Sequence, residues 1–339
     1  MENKIIRTIC VFTATPNANT LKQLETITQQ LKNNNFEVQT QRICTALNNL
    51  DWLEDTVETN PDLLLGIGAL TPEKIHKHES KLLSVNNLNF TLELTNKEIT
   101  LDDVSILFKI IRNAPDRTFN FAYIFNNAAS SPYMPSAQYE QDGFSIGLQP
   151  TDLSKGCTSL DEWFVNMAQV WEELDEMLKN NKDYLGIDSS IAPLFIKESS
   201  LVEFIKTLGL NFSQSFTTDI YSRITKFIKE KNPTPTGLCG LMMPCLEDFE
   251  LAKEYEEGNF TIERNTFVSL HSGLGIDTYP IGTDERPDRV LEILKLVQTL
   301  SNKYNKPLSA RFVSDGKAKI GERTDFRNQY LYDVIVRQL

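Results

Sequence analysis

Strand-like and helix-like stretches alternate along nearly the whole chain, and this alternation is what most limits its fold. Ile5 to Ala14 (IIRTICVFTA) is β-branched and apolar, which predicts a buried strand. Asn19 to Asn33 carries Leu21, Leu24, Ile27 and Leu31 at the spacing of one helix face. Glu37 to Cys44 alternates as a second strand, and Leu47 to Thr59, Thr71 to Leu83 and Leu101 to Asn113 predict helices. Phe121 to Asn127 (FAYIFNN) and Phe144 to Leu148 (FSIGL) predict strands. Helices are expected over Leu160 to Asn180, Leu201 to Leu208, Thr218 to Lys229, Leu246 to Glu257 and Arg289 to Tyr304. Short strands are expected over Tyr184 to Asp188, Ile276 to Ile281 and Ser309 to Val313. Such an order favours a sheet with helices packed outside it, either doubly wound or closed into a barrel. No Pro-, Gly- or Ser-rich linker divides the 339 residues and no repeat is visible, so a single α/β domain over residues 1–339 is expected.

Composition narrows the function classes. The net charge is −12, and the cations are scattered, so a nucleic-acid partner is disfavoured. No apolar run approaches the about 20 residues that span a bilayer, and the stretch MENKIIRTICVF lacks the long apolar region of a secretory signal. Five cysteines, odd in number and mostly far apart, fit reduced thiols of the cytoplasm better than a disulfide framework. The dinucleotide, P-loop and HExxH fingerprints are absent.

Four stretches carry chemistry. In PTGLCGLMMPCLED (Pro235 to Asp248), five residues separate Cys239 from Cys245, wider than zinc or redox pairs prefer. Cys239 lies close to Gly237 and Gly240, so it either faces a ligand or fills a core as free cysteines commonly do. Glu247 and Asp248 suit the first turn of a helix, and one of them can face whatever the cysteine loop lines. HSGLGID joins His271, Ser272, two glycines and Asp277, which suits either acid–base work or a helix end. Asp188 and Ser189 close the strand in YLGIDSSIAP, either as ligand contacts of the kind α/β folds place there or as an ordinary helix-capping turn. Arg311, inside the apolar KPLSARFV, must either pair with a carboxylate such as Asp277 or Asp188 or bind an anionic ligand group.

IIRTI, SPYMPSAQY, FSIGL, GIDSSIAP, CGLMMPCLED, GLGIDTYPIG and KPLSARF occur in the order that resembles the domain-of-unknown-function 711 proteins. The resemblance runs from Ile6 to about Phe326. It implies a fold similar to pyruvate formate-lyase: a ten-stranded α/β barrel of two five-stranded halves, helices outside, with a loop entering the barrel. It implies no established reaction. A glycyl radical is not expected, because the last glycine, Gly321 in KIGERTDF, does not match the radical loop of enzymes with that fold. Relatives resembled here carry a histidine where this chain has Tyr139 and a cysteine where it has Ser272. Chemistry common to the family would therefore rest on Cys239, Glu247, Asp188, Asp277 or Arg311.

The resulting expectation is an enzyme acting on a small polar or anionic metabolite inside the barrel. Cys239, Glu247, His271 and Asp277 are its catalytic candidates. Asn126, Tyr139, Asp188, Ser189, Ser272 and Arg311 are its substrate-binding candidates. No spacing demands a metal, none is assigned, and the cofactor stays unidentified. The expected partners are a small-molecule ligand and, from the resemblance, a second copy in a homodimer. The alternative is a ligand-binding or regulatory protein of the same fold that has lost catalysis.

Overall fold

The structure, a computed structural model, describes residues 4–339. Residues 1–3, part of the stretch read as carrying no secretory signal, lie outside the described residues. The chain forms a mixed α/β fold in which ten strands are joined in one sheet and helices fill most of the connections. The strands are β1 (Lys4–Phe12), β2 (Phe36–Val38), β3 (Gln41–Cys44), β4 (Leu64–Leu70), β5 (Leu88–Glu93), β6 (Phe121–Phe125), β7 (Gly143–Leu148), β8 (Tyr184–Asp188), β9 (Gly275–Pro280) and β10 (Leu308–Val313). Among the described residues no helix is long and apolar enough to cross a membrane.

The chain divides into two compact units. The first comprises the chain up to Thr91, Ala128–Ser190 and Phe227–Cys239. Its central strand is β1, which is buried on both faces, as a run of β-branched residues allows. Parallel β3 and then β4 lie on one side of β1; antiparallel β7 and then β8, parallel to β7, lie on the other. The sequence predicts one strand over Glu37 to Cys44. The structure instead pairs β2 with the start of β1 and β3 with its end, with a break at Gln39–Thr40. Helix Ala18–Asn33 starts at a capping box between Asn17 and Thr20 and buries Leu24, Ile27 and Leu31. Helix Leu160–Leu178 buries Trp163 and Trp171, and Phe164 stacks on Phe227 at 4.2 Å. Burying one such large apolar side chain contributes roughly 2–3 kcal/mol.

The SSPYMPSAQ stretch packs within this first unit. Tyr133 Oη donates to Leu148 O, and Arg42 Nη1 donates to Pro132 O. Gly147 leaves the room: a Cβ there would crowd Pro132, Tyr133 and Thr8.

The second unit comprises Leu92–Asn127, Ile191–Lys226 and Gly240–Leu339. β10 is antiparallel to β6 and parallel to β9. Beyond β9 the sheet is extended by single bridges. Leu241 and Pro244 pair with Gly273 and Asp277, and on the far side Leu241 and Asp248 pair with Ile191 and Phe195. The sequence predicts a helix from Leu246. It begins at Phe249, because Leu241 and Pro244 are held in bridges to their neighbours, residues 245–247 form a turn and Asp248 is the cap. Asp248 accepts from Glu250 N and Leu251 N of that helix and from Ser200 Oγ and Leu201 N at the start of helix Leu201–Thr207.

Candidate functional sites

The polar residues picked out in the sequence gather in two main clusters, one in each unit. In the first unit, Asp188 ends β8 and is fully buried. Its Oδ1 accepts from Ser190 N at 3.1 Å, Ser190 Oγ at 2.6 Å and Cys239 N at 3.1 Å. Its Oδ2 accepts from Ser131 Oγ and Leu238 N, both at 2.8 Å. Burial raises the carboxyl above its ordinary range, and these donors oppose the rise. Asp188 thus ties three pieces of chain together: the end of β8, the loop carrying Ser131, and the cysteine loop.

That loop needs its glycine. Gly237 has φ of +69°, and a Cβ there would overlap Asp188 Oδ2 and the backbone of Ser131. Cys239 also lies in the left-handed region, with φ of +42°. Its Sγ lies 3.2 Å from Thr236 O and 3.8 Å from each of Ile187 O, Ser189 Oγ and Asn232 Nδ2. Asn232 Nδ2 also donates to Ser189 Oγ at 2.9 Å and to Ile187 O at 2.8 Å. Burial first, and the nearby Asp188 charge second, push the Cys239 thiol up to about 11. At neutral pH this group is a thiol and a weak nucleophile.

In the second unit, Arg311 in β10 is the centre. Its Nε donates to Asp277 Oδ1 at 2.6 Å, its Nη2 to Glu247 Oε1 at 2.6 Å and its Nη1 to Phe119 O at 3.2 Å. The guanidinium carbon also lies 5.0 Å from the Phe119 ring centroid. Of the two carboxylates that the sequence offered as partners, Arg311 takes Asp277, and it adds Glu247. Burial works against its charge, but the two carboxylates outweigh burial and raise its pKa. The side chains of Arg311, Glu247 and Asp277 are 8 %, 9 % and 18 % exposed, so Asp277 is the most accessible of the three. Asp277 Oδ2 makes no hydrogen bond among the described residues.

His271 and Ser272 form a smaller group in the same unit. His271 Nδ1 lies 2.8 Å from Ser272 Oγ, which accepts from Thr225 Oγ1 at 3.2 Å. His271 is exposed, whereas Ser272 is buried. Partial burial, followed by the Lys306 charge, lowers the imidazole pKa, so it is neutral at pH 7. Asn126 is held by its neighbours: its backbone N–H donates to Thr95 Oγ1, and its Nδ2 donates to Ser301 Oγ and Asn302 Oδ1. Tyr139, in the first unit, packs against buried Cys10, Phe12, Cys44 and Ala137.

The sequence reading did not single out Ser131, Asn232 or Phe119. Ser131 opens the quoted SPYMPSAQY, but a serine in a proline-rich loop carries no sign of its partner. Asn232 and Phe119 have no local signal at all. Among the described residues no group of three or more His, Cys, Asp or Glu side chains is arranged to hold a metal ion.

A family model described as Uncharacterised ACR (DUF711) matches residues 71–328. Among curated proteins, the chain is 26 % identical over 153 residues to a UPF0210 protein of Pyrobaculum arsenaticum. It is 22 % identical over 151 residues to a UPF0210 protein of Lactobacillus helveticus. Each match covers 43 % of this chain and 34 % of the relative, so the aligned part spans about a third of the curated relatives' length.

Proposed function

The chain belongs to the DUF711 family, and on that premise we propose that it is an enzyme that moves a proton on a small polar metabolite at Asp277. One observation carries this reading. Arg311 fixes one oxygen of Asp277, while the other oxygen, on the most accessible side chain of the cluster, has no partner among the described residues. A carboxylate held in one orientation with one oxygen open is suited to accept a proton or a hydrogen bond from a ligand. Glu247 and Arg311 are then positioning residues, since they set the direction in which Asp277 points. His271, neutral and exposed beside Ser272, is the second group able to exchange a proton at pH 7. Asp188 and Ser189 shape the cysteine loop.

The finer architecture that the resemblance implies, a pyruvate formate-lyase-like barrel with the ligand inside it, is part of this proposal. So are a cytoplasmic location, which the five free, buried cysteines support, and a homodimer. No glycyl radical step is assigned, because the sequence around Gly321 lacks the radical motif.

The test is to incubate wild type and Asp277→Asn with a defined metabolite mixture and quantify every species by mass spectrometry. The reading expects at least one species to be consumed by wild type alone. Equal consumption by the variant, or none by wild type, removes it.

A second reading is a binding or regulatory protein without turnover. The observation in its favour is that Cys239 is held as a thiol and both oxygens of Asp188 are taken up by the chain itself. Under that reading native mass spectrometry finds a ligand that stays unchanged through long incubation.

A further inference from the structure

We propose that the group recognised at Asp277 is a protonated amine, not the carboxylate or phosphate that an arginine in the site would suggest. This rests on the reading of Asp277 as the ligand-facing group and adds the charge of the ligand.

Arg311 is the natural anchor for an anion, but three of its five N–H groups already donate to protein oxygens, two of them on carboxylates, so two carboxylates already share its single positive charge. An anion at a remaining N–H would lie beside both carboxylates and be repelled by them, and one that bound the fork of the guanidinium would displace Asp277 or Glu247. That would leave a carboxylate in a mostly buried place without its counter-charge, which is strongly unfavourable. The open position in the cluster is an acceptor, Asp277 Oδ2. An ammonium group brings three donors and a positive charge to such an oxygen, and charge-assisted hydrogen bonds of this kind are the strong ones. An alcohol brings one donor and no charge, so it binds more weakly at the same place. For a divalent cation no built site is present, since among the described residues no group of three or more His, Cys, Asp or Glu side chains is arranged to hold one. The Phe119 ring lies against the guanidinium and helps hold it in its present orientation.

The test uses three probes of matched shape, propylammonium, propanol and propionate, at constant ionic strength. The intact chain is labelled with ¹⁵N-arginine. The Arg311 Nε–H resonance is assigned by its loss in Arg311→Lys. It reports directly on the cluster, because that N–H donates to Asp277. Saturable movement with propylammonium is expected, with propionate at least about tenfold weaker and propanol between them. Asp277→Asn should weaken propylammonium by about tenfold or more. The ordering of the three probes on wild type needs no variant, so it stands even if Asp277→Asn folds poorly. Propionate binding more tightly than propylammonium, or no saturable movement with any probe, overturns the inference. So does propylammonium binding unchanged in a folded Asp277→Asn. The functional reading fails separately, when Asp277→Asn consumes metabolites as wild type does; propionate winning the titration removes only the charge assignment.

Discussion

Asp188 and Arg311 are both buried charged groups, yet the fold treats them differently. Asp188 is satisfied by serine hydroxyls and backbone N–H groups, with no cation among its bonded partners. Arg311 is satisfied by two carboxylates and a carbonyl. Removing Arg311 therefore leaves two carboxylates facing each other in a mostly buried place. Arg311→Ala should lower stability by about 3–5 kcal/mol in urea unfolding, far more than a typical surface arginine. Cys239 gives a second test at this scale. With its thiol pushed up to about 11, the thiolate fraction at pH 7 is on the order of 10⁻⁴. Alkylation of Cys239 by iodoacetamide should be slow at pH 7 and rise about tenfold per pH unit toward about 11; fast labelling at neutral pH would show an activated thiol. The sequence showed that Arg311 needs a partner, because an arginine in an apolar strand cannot stay alone. Glu247 as the second partner was not legible, since 64 residues separate the two and only the pairing of residues 241–248 beside β9 brings them together.

At the scale of elements, the stretch from Pro235 to Asp248 shows where sequence patterns run out. Its second half looks like a helix start, with two acids after a proline, and Asp248 does cap a helix. But Leu241 and Pro244 are held in bridges, and backbone bonds from Leu241 to Cys245 reach Ile191 on one side and Ser272, Leu274 and Asp277 on the other. Periodicity cannot report such bridges, because each is only one or two residues long. β4 (LLGIGAL) and β5 (LNFTLE) went unnamed for a related reason: a short apolar run has no period that separates strand from helix. The long helices Leu160–Leu178 and Pro287–Tyr304 were legible, because four or more turns repeat the same buried face. Asp248 makes a prediction at this level. Burial raises its carboxyl to about 6, against the four hydrogen bonds it accepts. A carboxyl whose folded pKa is raised contributes most stability below its ordinary value near 4, and loses that contribution as pH rises through about 6. Asp248→Asn is neutral at every pH and lacks this term. The stability difference between wild type and variant should therefore shift in favour of the variant from pH 4 to pH 7, measured by chemical unfolding. A difference that stays constant with pH would contradict the raised carboxyl.

Across the whole chain, the path passes between the two units at 91/92, 127/128, 190/191, 226/227 and 239/240. With the chain returning so often, no single linker exists for composition to reveal, which is why the sequence reads as undivided. The α/β class was legible because strand and helix alternate. The family was legible because several short motifs keep their order over most of the chain, and the family model matches residues 71–328. The grouping of Asp188 with Ser189 and Cys239, and of Asp277 with Glu247 and Arg311, required the fold. The central claim is that the chemistry belongs to Asp277 and not to the cysteine loop. The most direct test is metabolite consumption by wild type, Asp277→Asn and Cys239→Ser, each checked for folding. Wild type and Cys239→Ser are expected to consume the same species, while Asp277→Asn is slower by on the order of 100-fold or more. Consumption kept in Asp277→Asn and lost in Cys239→Ser would contradict that claim.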